Sequence, residues 1–118
     1  MTSQIINSIH ERLTVLMKQE KPFLETKMSL PKTAKKLNTT IHLLSKTINK
    51  KEALNFFEFI NKYRIDFACE LIKSNNSVLS IEGIAYESGF GNKTSFNRAF
   101  KKFKGCTPSE YKKLPANK

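Results

Sequence analysis

Apolar positions recur at helical spacing along most of this 118-residue chain, and the interruptions between the runs predict where helices stop. From Thr2 to about Gln19, Ile5, Ile6, Ile9, Leu13, Leu16 and Met17 form one stripe, with Glu11, Arg12 and Lys18 away from it. That is an amphipathic first helix, expected to pack on the segment after it, with His10 on its surface. Lys21-Pro22-Phe23-Leu24 breaks it, because Pro22 lacks the amide hydrogen that continuation needs. Ser29 can cap a short helix with Pro31 near its start, running to about Leu37. Asn38-Thr39-Thr40 is the turn, where Asn38 tolerates a left-handed backbone and Thr40 caps a helix from about Ile41 to Lys50. Asn55 caps a long helix from about Phe56 to Ser74, in which Phe56, Phe59, Ile60, Tyr63, Phe67, Ala68, Leu71 and Ile72 cover more than one stripe. A polar loop at 74–77 follows.

The pattern is sharpest from Ser80 to Lys113. A short helix leads to a turn in which Gly89 supplies the left-handed residue and Phe90 the hydrophobic contact of a Schellman stop. Asn92 caps the next helix. At about 100° per residue, Phe96, Ala99, Phe100 and Phe103 fall on one side of it and Thr94, Asn97, Arg98 and Lys101 on the other. The outward face offers an amide, a guanidinium and an ammonium, the groups that read base edges or clamp phosphates. A helix, a turn and a two-faced second helix form the layout that puts one helix into a nucleic-acid groove. A small basic helix on an unrelated domain has the same look.

The layout occurs twice. Shifting the chain by 52 sets His42 on Thr94, Leu44 on Phe96, Ser45 on Asn97, Lys46 on Arg98 and Ile48 on Phe100, so apolar and outward faces coincide. Asn55 falls on Thr107 and Glu58 on Glu110, so each copy ends in a capping box. Upstream the offset is 51, with Ser29 on Ser80 and Ala34 on Ala85, so the second copy has one extra residue in its turn. No alternating strand pattern of useful length is present, and the fold class is all-α with about seven helices.

Charge sharpens the picture. Lys and Arg number 21 against 10 Asp and Glu, a net +11. Residues 1–55 carry ten basic and four acidic groups, 56–74 three of each, and 75–118 eight and three, so the excess lies in the repeated segments and the connector is neutral. Two phosphate-facing modules on an uncharged spacer have this distribution. Cys69 and Cys106 lack metal-ligand spacing and read as core thiols of a reducing compartment. No apolar run approaches 18 residues and no signal peptide is seen, so a cytoplasmic location is expected.

The chain resembles the DNA-binding domain of the AraC/XylS family of transcriptional regulators over roughly residues 28–113. The resemblance rests on Met28-Ser29-Leu30, Ala34, Leu37-Asn38, Leu44-Ser45, Phe56, Phe59-Ile60-Asn61, Tyr63-Arg64-Ile65, Ala68 and Leu71-Ile72 in the first half and the connector. It continues through Ile84-Ala85, Ser88-Gly89-Phe90, the run Ser95-Phe96-Asn97-Arg98-Ala99-Phe100-Lys101-Lys102, Gly105, and Thr107-Pro108-Ser109-Glu110-Tyr111. Departures are Thr33 and Thr39 where an aliphatic is usual, Ile48 where Phe is usual, Ala53 where a glycine often ends the recognition helix, and Gly83 inside a helix.

What the resemblance implies is one module: a first helix-turn-helix lobe with the N-terminal helix at 1–55, a linker helix at 56–74, a second lobe at 75–114 and a tail at 115–118. Each lobe offers a recognition helix to the major groove on the same side of double-stranded DNA. Lys93, Thr94, Asn97 and Arg98 match base-facing family positions in the second lobe, and His42, Ser45 and Lys46 in the first. Lys32, Lys35, Lys50, Lys101, Lys102 and Lys104 are phosphate candidates, and Arg64 is a structural or phosphate-contacting residue. Regulators of this kind carry a separate sensing or dimerising region, here expected N-terminal to the chain, and no small-molecule ligand is implied for the module itself. The competing reading is a basic helical module docking an acidic partner such as RNA polymerase. An enzyme is not supported: two histidines, no Gly-rich phosphate loop and no nucleophile-base arrangement leave no catalytic site, metal site or cofactor.

Overall fold

A computed structural model describes residues 2–74 and 79–114. Most of the polar loop expected at 74–77, and the tail at 115–118, lie outside the described residues. Within them are seven α-helices, one 3-10 turn (Pro22–Leu24) and no strand. The helices are α1 (Thr2–Glu20), α2 (Leu30–Lys36), α3 (Ile41–Glu52), α4 (Phe56–Lys73), α5 (Ile81–Glu87), α6 (Lys93–Lys104) and α7 (Pro108–Lys112). The chain divides into two compact units, Met1–Ile60 and Asn61–Lys118, and α4 starts in the first and ends in the second.

In the first unit, α1 packs on α3 and buries Ile6, Ile9, Leu13 and Met17. Ile5 remains 48% exposed and Leu16 half-buried. They sit roughly 85° and 65° from the centre of the buried set at about 100° per residue, so the stripe is narrower than the apolar pattern suggests. Two polar contacts fasten α1 further: Arg12 Nη1 donates to the Leu37 carbonyl oxygen at 2.6 Å, and His10 Nε2 lies 2.8 Å from Glu52 Oε2. His10 is therefore a partner of the last turn of α3 rather than an ordinary surface histidine. That turn extends two residues beyond the expected end at Lys50. Thr33 and Thr47 are fully buried, and their hydroxyls donate to the Ser29 and Leu43 carbonyl oxygens at 2.8 and 2.7 Å. A satisfied hydroxyl is how Thr33 stands in a core position where an aliphatic is usual.

The second unit is built on Ile65, Ala68 and Cys69 of α4, Ile84 and Ala85 of α5, Phe90 of the turn, and Phe96, Ala99 and Phe100 of α6. Rings run edge to face from Phe90 to Phe96, Phe100 and Tyr111 with centroids 5.3, 5.7 and 5.4 Å apart. Such contacts add to the burial of large apolar area. Cys69 and Cys106 are free thiols, and burial pushes the Cys69 thiol up from its ordinary value.

The internal repeat is literal in the local geometry. Ser29 and Ser80 cap α2 and α5, each accepting from the amide three residues on, and both helices are seven residues long. At their ends Asn38 and Gly89 take positive φ, 56° and 96°. The Thr39 amide then donates to the Ala34 carbonyl oxygen and the Phe90 amide to that of Ala85, the six-to-one bond of a Schellman stop. Thr40 and Asn92 cap α3 and α6, twelve residues each. Between C-cap and N-cap the first copy has Asn38 and Thr39, whereas the second has Gly89, Phe90 and the additional Gly91. Both expected capping boxes are present: Asn55 Oδ1 accepts from the Glu58 amide while Glu58 Oε1 accepts from that of Asn55, and Thr107 and Glu110 do the same.

Candidate nucleic-acid interface

In α6 the separation of faces is complete. Phe96, Ala99 and Phe100 are buried, while Lys93, Thr94, Asn97, Arg98, Lys101 and Lys102 are exposed. The buried rings fix the rotation of the helix about its axis, and the Asn92 cap, accepting from the Ser95 amide at 2.8 Å, fixes where it begins. Its outward residues are therefore set by packing on the opposite side.

Five of the sequence-predicted residues, Lys93, Asn97, Arg98, Lys101 and Lys102, line one open groove with Ile81 of α5 and Thr107, Pro108 and Ser109 at the start of α7. Thr94 is exposed but does not line it. Thr107 and Ser109 bring hydroxyls to this groove that sequence reasoning did not include. They lie past the Gly105 turn, so the periodicity of α6 carries no signal for them. Among the described residues, Lys93 and Arg98 form no ion pair.

The remaining candidates of this unit are more engaged. Lys104 Nζ lies 3.6 Å from Asp66 Oδ1, and Lys102 Nζ lies 5.9 Å from the Phe103 ring centroid. Arg64 is half-buried with its guanidinium 5.6 Å from the Phe90 ring centroid, and desolvation lowers its pKa from the ordinary value. Stacking an arginine on the aromatic that closes the turn gives Arg64 a structural part.

α3 repeats the arrangement with milder chemistry. Leu44, Thr47 and Ile48 are buried, and His42, Ser45, Lys46, Asn49 and Lys50 face out. In α2, Lys32 and Lys35 are exposed, and Lys32 Nζ donates to the Lys27 carbonyl oxygen at 3.3 Å. Among the described residues no group of three or more His, Cys, Asp or Glu could hold a metal ion, and no helix is long and apolar enough to cross a membrane.

The sequence profile of a helix-turn-helix domain family matches residues 33–114, which takes in most of the first repeat and all of the second. The Msm operon regulatory protein of Streptococcus mutans is 35% identical over 80 residues, 68% of this chain and 28% of that protein. The C-terminal domain of AraT, a response regulator from Geobacillus stearothermophilus, superposes with a TM-score of 0.75 at 26% identity, covering 93% of this chain and 87% of that one. A transcriptional regulator from Chromobacterium violaceum, described as having an AraC-type DNA-binding domain, gives a TM-score of 0.76 over 93% of this chain and 96% of that one. At 16% identity the last shows likeness of fold alone. The chain spans well under half the length of the curated relatives it matches, 28% in the streptococcal case.

Proposed function

The chain belongs to the AraC-type helix-turn-helix family of DNA-binding transcriptional regulators, and from that premise we propose that α3 and α6 read two successive major-groove windows of one asymmetric DNA site. The observation that carries the reading is the repeated frame. Caps, helix lengths and left-handed stops coincide at offsets of 51 and 52, yet the outward residues differ. Two like frames with unlike faces call for two unlike half-sites. Successive windows on one side of B-DNA are about 34 Å apart.

In this reading Lys93, Thr94, Asn97 and Arg98 of α6 and His42, Ser45 and Lys46 of α3 meet base edges. Lys32, Lys35, Lys50, Lys101, Lys102 and Lys104 meet the backbone, and Arg64, stacked on Phe90, is a structural or phosphate-contacting residue. Residues 1–55 and 75–114 act as the two reading lobes, with 56–74 as the helix joining them. α3 contributes Lys46 where α6 contributes Arg98, so the first half-site is the more permissive, since arginine makes the bidentate contact to guanine more readily. The length of the relatives supports a sensing or dimerising region upstream in the full protein. A DNA partner makes the cytoplasm the working compartment. Docking of an acidic protein by the basic faces is the less favoured reading, because it gives no reason for the frame to be built twice.

Selection of bound duplexes from a random pool tests the proposal. An asymmetric consensus with two separated half-sites is expected. A pool that never enriches would contradict it.

A further inference from the structure

α1 and α3 leave a hollow between the first two turns of α1 and the last two turns of α3, lined by Ser3, Ile6, Asn7, Lys46, Lys50 and Lys51. Its volume is about 390 Å³, whereas one water takes up about 30 Å³ of liquid. Ile6 is buried and forms an apolar floor. Ser3, Asn7 and the three lysines are exposed around it, and among the described residues none of these lysines forms an ion pair. Three ammonium groups gathered with a hydroxyl and an amide, and no carboxylate on the lining, make a site for an anion.

Lys46 decides which anion. It lies on the outward face of α3 with His42 and Ser45, and it also lines the hollow, so the hollow continues the proposed reading face. A helix lying in a major groove has a phosphodiester strand along each flank, and contacts to those strands set its register without reading sequence. We propose that this hollow holds a backbone phosphate beside the first half-site, with Lys51 and Asn7 as contacts additional to Lys50. α1 then has a second role besides packing: its first two turns form one wall of a phosphate clamp that limits how far α3 can slide along the groove. The inference rests on the DNA-binding reading above.

The test is the salt dependence of binding to a selected duplex and to random duplexes, for the unaltered chain, Lys51→Gln, Asn7→Asp, Arg98→Ala and, as a charge-matched control outside the interface, Lys113→Gln. Far-UV circular dichroism and melting midpoints establish that each variant is folded. Lys51→Gln is expected to flatten the slope of log K against log salt by about 0.9, which is about eightfold in affinity at 0.1 M relative to 1 M, equally for both duplexes. Asn7→Asp weakens both duplexes most at low salt, and Lys113→Gln changes neither slope nor affinity. If the selected duplex is preferred and Arg98→Ala reduces that preference, but Lys51→Gln and Asn7→Asp change nothing, the clamp is wrong and the reading of the helices stands. If no duplex is preferred and Lys51→Gln still flattens the slope, the clamp stands and the reading fails. Inorganic phosphate in place of DNA separates the two sources of the anion. Saturable phosphate binding abolished by Lys51→Gln, with an unchanged DNA slope, would make the hollow a small-anion site and overturn the clamp.

Discussion

Ala53 and Gly105 occupy the same place in the two repeats: each follows the twelfth residue of its helix, each has positive φ (58° and 77°), and each donates its amide to the carbonyl oxygen four residues back. Only Gly105 takes this conformation without a steric cost. A left-handed backbone costs an L residue about 1–2 kcal/mol.

Ala53→Gly is therefore expected to stabilise the chain. Relief of about 1–2 kcal/mol is partly offset by the roughly 0.4–1 kcal/mol that a glycine adds to the freedom of the unfolded chain, leaving about 0.5–1 kcal/mol. Gly105→Ala should cost a similar amount, since a Cβ there meets nothing within 4 Å and only the backbone is strained. Urea unfolding of both variants checks the pair. Equal and same-signed shifts would show that the two stops are not equivalent.

The capping box of α7 predicts a response to acid. Hydrogen bonds from the Thr107 amide and, second, its side chain hold the Glu110 carboxyl below its ordinary value. A folded-state pKa below the unfolded one gives stability that is full above the unfolded pKa and lost as pH falls through the folded pKa. The melting midpoint should thus fall as pH drops below the usual carboxylate range, and Glu110→Gln should reduce that dependence while retaining part of the cap, because glutamine also serves in the box. An identical acid limb in both proteins would remove Glu110 from the account.

Phe96 is wholly buried between Phe90 and Phe100. Phe96→Ala should cost about 3–5 kcal/mol, enough to unfold a marginal unit. Amide exchange should report the loss in residues 79–114 first. Uniform loss over the whole chain would mean that the two units unfold together.

Arg98 and Lys102 are predicted to fail differently on DNA. Arg98→Ala should cost roughly 1–3 kcal/mol on the selected site and relax one base position. Lys102→Ala should weaken all duplexes alike and flatten the salt slope by about one contact. Binding to single-base variants of the site at several salt concentrations distinguishes them.

How much of this is legible in the sequence depends on how local each signal is. The start and rotation of α6 could be read, because Asn92 and a two-faced pattern define them. The end of α3 could not: its stop is an alanine in a glycine conformation, and its last turn is met by His10 from 42 positions away. Separation along the chain also hid the hollow between α1 and α3 and the place of Arg64 over Phe90, 26 positions on. Thr33 read as a departure because sequence does not show its hydroxyl satisfied by the Ser29 carbonyl. Both capping boxes were legible, since each lies within four consecutive residues.

Footprinting of a selected duplex, combined with the protein-to-DNA ratio of the complex, tests the two-helix account most directly. One chain per duplex is predicted, protecting an asymmetric site with two major-groove windows centred about 10 base pairs apart. A palindromic site occupied only by two chains, or protection confined to one window, would contradict it.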